Sequence, residues 1–402
     1  MIIRKIAKGI LAIPALLVLV GLWILRPLVR VQLLVVGFHR FGHLALEPEI
    51  LLSLNDARSS NFPSSRRFPR TIQLWSFGPA KLQANRFLVK KWSELLHVPP
   101  SWIVDSLRQA GDKVSGLRLD SPMLSVHGPA NALDHSGPHL KFSRSELVTG
   151  PAELAKMGID SARPLVCLIV RDGGYYAARG EVESQGYEIL NFDISAFELA
   201  ARSLVSRGYQ VVRMGTGSEK PFGPEITGVF DYSNSPLRSD FLDIYIASRC
   251  QFAVSTQTGP DAVCLAFRRP VCYIDVARFS QFFFGTKLAY WNPSQLQRDG
   301  KRLTLMEIVS SDVATIKDPD DFIRFGVQSK RSTPLEIDRL VIGFVDLFEN
   351  GLTMAPGELE LTKRAQAIIE SGLSERGVNK FGRISAQPNP VFLREHGGWF
   401  LA

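Results

Sequence analysis

Three short stretches of this chain hold residue types that could do chemistry. The first is Ser255-Thr-Gln-Thr-Gly-Pro-Asp261, set between the apolar run Phe252–Val254 and a helix-like run ending at Phe267. Pro260 suits a first helical position, which makes Gly259 or Thr258 the cap. The free N–H groups and dipole of such a first turn favour an anion. Gly259 would let it approach the backbone, the hydroxyls of Thr256 and Thr258 can donate to it, and Asp261, which opens the helix, counts with them as a donor-binding residue. The same residue types serve any strand-to-helix turn, so the stretch alone decides nothing. Two arginines add weight: "CLIVRDGG" puts Arg171 at a strand end and "QVVRMGTG" does the same for Arg213. In a parallel sheet the three strand ends share one edge. Two guanidiniums and a helix N-terminus there would suit a diphosphate. The alternative for each arginine is a surface ion pair, such as Arg171 with Asp172. There is no Walker A motif and no GxGxxG.

The second stretch is "FHRFGHL", following the first strand. His43 is of the residue type best suited to a general base near neutral pH. Gly42 would let backbone come close, Glu47 or Glu49 could do the same task, and Arg40 could contact phosphates. The alternative for His43 is a hydrogen-bonded structural histidine or a helix cap. The third stretch is "DPDD", Asp318–Asp321, which has the DxD spacing of some metal sites. With Pro inside and "FIRFGV" following, it reads as a helix start, and no metal is implied. Cys167, Cys250, Cys264 and Cys272 sit in apolar contexts without CxxC spacing or a nearby His. They read as reduced core residues rather than disulfides or zinc ligands.

The elements that must position these groups follow a regular order. "RVQLLVVG" and "TIQLWSFG" read as strands, "NRFLVKKWSELL" and "SWIVDSLRQAG" as amphipathic helices. Residues 118–150 lack periodicity and read as a linker. Beyond it, "PLVCLIVRD", "YQVVRMG", "TGVFDY", "QFAVS" and "PVCYID" read as strands alternating with helices, hence a parallel α/β sheet. Ser195–Glu198 predicts a capping box for a helix over Ala196–Arg207, and Thr333–Glu336 another for Pro334–Glu349. The expected organisation is a hydrophobic helix over 1–30, a Rossmann-like domain over 31–150 and a second over 151–350, the two doubly wound domains facing each other. Residues 351–402 would pack back as helices and tail.

Charge is uneven along the 402 residues. Residues 1–150 hold 19 Lys+Arg and 9 Asp+Glu, and the remainder is slightly acidic. The basic excess adjoins the uncharged run Gly9–Leu25, which is 17 residues long. That points to an anionic membrane surface rather than nucleic acid, for which no motif appears. The run is at the short limit for spanning, and a bilayer-spanning or in-plane anchor fits better than a cleaved signal. Reduced cysteines favour a cytoplasmic body.

The body of the chain resembles a bacterial family of glycosyltransferases with the two-domain GT-B fold. The resemblance rests on "RFGHLALEPE", "RGYQVVRMG", "SDFLDIYIASRCQFAVSTQTGP" and "FLREHGGWF", and covers nearly the full chain. More distantly, Arg171 and "STQTGPDAV" resemble the donor-site motifs of fucosyltransferases, and "TGP" is similar to a heptosyltransferase turn. Phosphate held without a P-loop is typical of nucleotide-sugar sites. The resemblance implies a C-terminal domain gripping a donor diphosphate through Arg171, Arg213, Thr256, Thr258 and Gly259. Leu190 departs from the family pattern, which has a basic residue before the Asn-x-Asp-Ile stretch, so Asn191 and Asp193 carry over less firmly. Gly-His-Leu also resembles the loop of plant-type small-molecule glycosyltransferases, in which the His is the general base. The expectation is therefore a metal-independent, cofactor-free bacterial glycosyltransferase on the cytoplasmic face of the inner membrane. It would move a sugar from a nucleotide sugar to a surface glycan or lipid-linked acceptor. The rivals are a sugar-nucleotide epimerase of the same fold and a non-catalytic glycan-assembly protein.

Overall fold

The computed structural model describes residues 2–61, 70–122, 124, 131–177, 180, 182–223, 225–279, 286–376 and 385–402. The chain divides into two compact units, Met1–Val126 and His127–Ala402.

The first unit runs α1 (Ile2–Ile24), β1 (Val29–Val35), α2 (Phe41–Asn61), β2 (Arg70–Ser76), α3 (Arg86–Leu95) and α4 (Ser101–Lys113). Strands β1 and β2 pair in parallel from Val29↔Arg70 to Val35↔Ser76. A parallel pair needs a crossover, which α2 supplies. Trp92 of α3 is buried against this pair's crossover helix, its indole donating to the Leu44 carbonyl at 2.9 Å. Among the described residues the unit has only these two strands, extended by an isolated bridge from Gln32 to Asp120. The expected doubly wound domain is thus reduced to one βαβ element with flanking helices. The sequence beyond α4 has no apolar run long enough to build further strands. Among the described residues no helix is long and apolar enough to cross a membrane, so a spanning anchor finds no support.

The second unit begins with α5 (Arg144–Lys156) and continues β3 (Leu165–Ile169), α6 (Gly174–Ala177), α7 (Glu198–Ser206), β4 (Gln210–Arg213) and β5 (Val229–Asp231). Then come α8 (Asp240–Arg249), β6 (Phe252–Ser255), α9 (Asp261–Ala266), β7 (Val271–Val276) and β8 (Ala289–Pro293). A three-stranded antiparallel sheet follows, from β9 (Gln295–Arg298), β10 (Lys301–Arg302) and β11 (Val327–Lys330), with α10 (Leu305–Val309) and α11 (Asp320–Arg324) between them. The chain ends with α12 (Pro334–Glu349), α13 (Pro356–Glu375), β12 (Gln387–Pro388) and α14 (Pro390–Phe400).

Seven strands form one parallel sheet in the order β12-β8-β7-β6-β3-β4-β5. All five residues of β3 are buried, as its unbroken apolar run requires when both faces are covered. Side chains alternate across a strand, so neighbours on β3 and β6 point to opposite layers. On one side Phe252 meets Phe344 and Phe348 of α12 at ring-centroid distances of 5.3 and 5.1 Å. On the other, Cys167, paired in register with Ala253, reaches the Ile246 carbonyl of α8. Helices on both faces make this unit doubly wound, and its order reverses between β3 and β6.

Two boundaries differ from the sequence reading. Residues 131–150 belong with the second unit, not the first. Arg268 donates to the Ser136 and Gly137 carbonyls, both at 2.9 Å, and Phe142 stacks on Phe267. Ser195 does not cap a helix: a 3₁₀ turn over Ile194–Phe197 precedes α7, and Asp193 caps it by accepting from Ser195 N at 3.0 Å. By contrast α12 starts at Pro334 with the reciprocal Thr333–Glu336 box the sequence predicts. The tail packs on the second unit, where β12 adds to the sheet edge beside β8.

Candidate functional site

The ends of β3, β4 and β6 are adjacent, as the sequence anticipated, and their loops interlock. The Arg171 N–H donates to Thr256 Oγ1 at 2.8 Å, and the Thr256 N–H donates to the Ile169 carbonyl at 3.1 Å. This joins the loops after β3 and β6 where the strand order reverses, the place at which open parallel sheets bind ligands.

The turn after β6 is held from within. Asp261 is buried, and its Oδ2 accepts from Ser255 Oγ at 2.7 Å and from Thr258 N at 2.9 Å. Burial pushes its carboxyl up to about 6, against the opposing pull of those hydrogen bonds, of Tyr273 and of Arg278. Gln257 takes a left-handed φ of 65°, with its N–H on Ser255 Oγ. Pro260 sits at the cap of α9, one position earlier than the sequence suggested, and α9 has six residues. Asp261 therefore shapes the turn. Among the described residues, Gln257 Oε1, the Thr258 hydroxyl and the Gly259 N–H of this turn have no hydrogen-bond partner, and Thr258 and Gly259 are half-buried.

The two arginines have different settings. Arg171 pairs with Glu183, both side chains 12% exposed, and lies 5.2 Å from the Tyr187 ring centroid. Glu183 also accepts from Asn191 Nδ2 at 2.7 Å. Arg213 is fully buried, bonded to Asp172 Oδ2 at 3.0 Å, with Asp231 Oδ2 at 3.6 Å. Burial lowers its pKa, opposed by Asp231 and Asp172. Arg213 thus braces the β4 edge from inside, and the ion pair considered for Arg171 with Asp172 is made by Arg213 instead. Backbone crowding accounts for "RDGG": a Cβ on Gly174 would lie 2.1 Å from the Gly217 carbonyl. Asp193 closes its loop onto Ser195 and Lys220, whose ammonium holds its carboxyl down at about 2.

In the first unit, His43 stands on the first turn of α2, beyond the end of β1. Its Nδ1 is 2.7 Å from Glu47 Oε1, one helical turn on, and Glu47 Oε2 accepts the Gly37 N–H at 2.8 Å. Glu47 is buried and His43 half-buried. With one Glu47 oxygen on the Gly37 N–H, the other is left to hold the His43 ring at Nδ1, so that Nε2 is the ring nitrogen turned away from Glu47. The sequence reading offered Glu47 as a base. Its placement is that of a group that orients the His43 ring. Arg40 is exposed beside this turn, and Glu49 is fully buried. Gly37, which the sequence reading passed over, is what makes room: a Cβ there would lie 2.8 Å from His43 Cβ.

Glu183, Tyr187 and Asp172 were also missed. Glu183 lies in a loop and Tyr187 in a 3₁₀ turn over Gln185–Ile189, neither with a periodic sequence, and Asp172 enters the sequence analysis only as a neighbour of Arg171. "DPDD" opens α11 as expected, Asp318 accepting from Asp320 N at 3.1 Å and Asp320 from Gly186 N at 2.9 Å. The four cysteines are free and buried. Three of them, Cys167, Cys250 and Cys264, bring their sulfurs within 4.8 Å of one another, which linear spacing could not show.

No protein-family model matches the sequence, and no curated protein matches it. Among solved structures, the E. coli ADP-heptose lipopolysaccharide heptosyltransferase II is similar at 14% identity and a TM-score of 0.38, over 61% of this chain and 84% of that one. A family 9 glycosyl transferase of Veillonella parvula gives 9% identity and 0.38, over 62% and 81%. The iron-containing dodecameric glycosyltransferase TibC of enterotoxigenic E. coli gives 16% and 0.38, over 81% and 77%. Likeness of this degree settles neither the fold nor the chemistry.

Proposed function

We propose that the protein is a metal-independent glycosyltransferase that uses a nucleotide-sugar donor. The observation that carries this reading is the Arg171–Thr256 junction at the reversal point of a doubly wound sheet. It brings a guanidinium, the Thr258 hydroxyl and the Gly259 N–H to one strand edge that has no P-loop. In this reading Arg171, Thr258 and Gly259 grip the diphosphate. Thr256, Asp261 and Arg213 hold the edge in shape.

His43 supplies the chemistry. Its Nε2 takes the proton from an acceptor hydroxyl as that oxygen bonds to the anomeric carbon. The bond from that carbon to the diphosphate breaks, and its electron pair leaves on the nucleoside diphosphate. Glu47 stabilises the imidazolium formed and keeps its ring in place. The acceptor is a glycan or lipid-linked sugar.

Thermal shift of the full chain with nucleoside diphosphates and nucleotide sugars, with and without chelator, tests this. A rise in melting temperature is expected, lost in Arg171→Ala and kept in His43→Ala, which loses transfer. The absence of any shift from this set removes the donor site. Transfer abolished by chelator and restored by a divalent ion removes the metal-independent reading.

A further inference from the structure

We propose that α1 lies flat on an anionic lipid surface, with its outward face in the lipid and its inward face fixed to α4. Ala15 and Leu19 are buried in a cluster with Leu107 and Ala110 of α4. The opposite side is bare: Ile13 and Leu17 are each 68% exposed and Ile24 is 64% exposed, with Val20 beside them. From Gly9 to Leu25 no charged residue interrupts this face. A surface helix normally turns polar groups to water, so a bare apolar stripe of this length marks an interaction site.

Charge identifies what covers it. Residues 1–126 hold 17 Lys+Arg and 7 Asp+Glu, whereas the rest of the chain is slightly acidic. At about 100° per residue, Ile13, Leu17, Val20 and Ile24 share the half of the helix opposite Ala15 and Leu19. A bare apolar face on a unit with this basic excess suits a helix at the level of anionic headgroups. A second protein copy, carrying the same net charge of +10 on this unit, would be repelled.

The packing also selects the flat pose over a spanning one. Leu19 lies in the second half of the uncharged run and is fastened to α4, whose Asp105, Arg108, Asp112 and Lys113 are exposed. Threading α1 across a bilayer would drag those charges into hydrocarbon or strip α1 from its partner. The 17-residue run is also short, about 26 Å against a hydrocarbon core of about 30 Å.

Co-sedimentation of the full chain with vesicles of phosphatidylcholine, with and without phosphatidylglycerol, tests the proposal. Binding is expected to need phosphatidylglycerol, to weaken in high salt and to be released by alkaline carbonate. Leu17→Glu and Ile24→Glu, both at exposed positions, should each weaken it at least about tenfold while leaving circular dichroism unchanged. Leu335→Glu, also at an exposed position, on α12 of the second unit, should leave it unchanged. Resistance to carbonate would establish a span. Equal binding by Leu17→Glu, or a dimer without vesicles that Leu17→Glu dissociates, would also overturn it.

Discussion

The Arg171 nitrogen and the Thr256 hydroxyl oxygen, 85 residues apart in sequence, lie 2.8 Å apart and join the loops after β3 and β6. Thr256 is buried, so this bond fixes the one place in the sheet where the winding direction changes. Thr256→Val keeps the shape but leaves the Arg171 N–H without its acceptor. A loss of about 1–3 kcal/mol in urea unfolding is expected, with weaker nucleoside diphosphate binding. Thr256→Ser should retain most of both. Equal stability of the Val and Ser variants would show that the bond does not matter.

Glu183 neutralises the guanidinium assigned to the donor. Any diphosphate that engages Arg171 must compete with that carboxylate. Glu183→Gln should therefore bind nucleoside diphosphate several-fold more tightly by calorimetry, since each 1.4 kcal/mol is about a factor of ten. Weaker binding in this variant would mean that Glu183 positions Arg171 rather than shielding it.

The His43–Glu47 pair predicts a separable effect. Glu47→Gln should lower kcat by about 10²–10⁴-fold with donor binding unchanged, because only the orientation and charge of the imidazole are altered. His43→Ala should do the same. Gly37→Ala tests the geometry behind them: its Cβ must displace His43, so a loss of at least about tenfold in kcat is expected. Full activity in Gly37→Ala would show that His43 can move without consequence.

Much of the second unit was legible because its strands are unbroken apolar runs that only a two-sided parallel sheet buries, as with "PLVCLIV". The convergence of Arg171, Arg213 and Thr256 followed from that topology alone. What each arginine touches did not. Arg213 and Arg171 look alike in sequence, each ending an apolar strand. One is sealed between two aspartates and the other is half-turned to Glu183, through loops with no periodicity to read. The first unit was over-read, because one strand–helix–strand pattern was extended into a whole domain that the residues after α4 do not build. His43 was found as a residue type at a strand end, whereas the roles of Gly37 and Glu47 arise only when the helix brings position 47 back over the loop.

Burial of aspartates gives a stability dependence on pH with a definite sign. Asp261 and Asp243 are both raised to about 6, chiefly by burial, with Ser255 opposing it at the first and Arg238 at the second. An acid raised in the folded state holds its proton there after the unfolded chain has released it. The stability tied to that proton is present below about pH 4 and falls as pH rises through about 6. For Asp261 the full effect is up to about 3 kcal/mol, at about 1.4 kcal/mol per pH unit. Asp261→Asn keeps an oxygen that can accept from Ser255 and Thr258 but never ionises. Its stability relative to the parent should therefore improve by that amount between pH 4 and pH 7. Measured as urea-unfolding midpoints at several pH values, the two curves should converge in acid and separate near neutrality. Parallel curves would mean that Asp261 titrates alike in the folded and unfolded chain, and the turn after β6 would then be more open to water than its burial indicates.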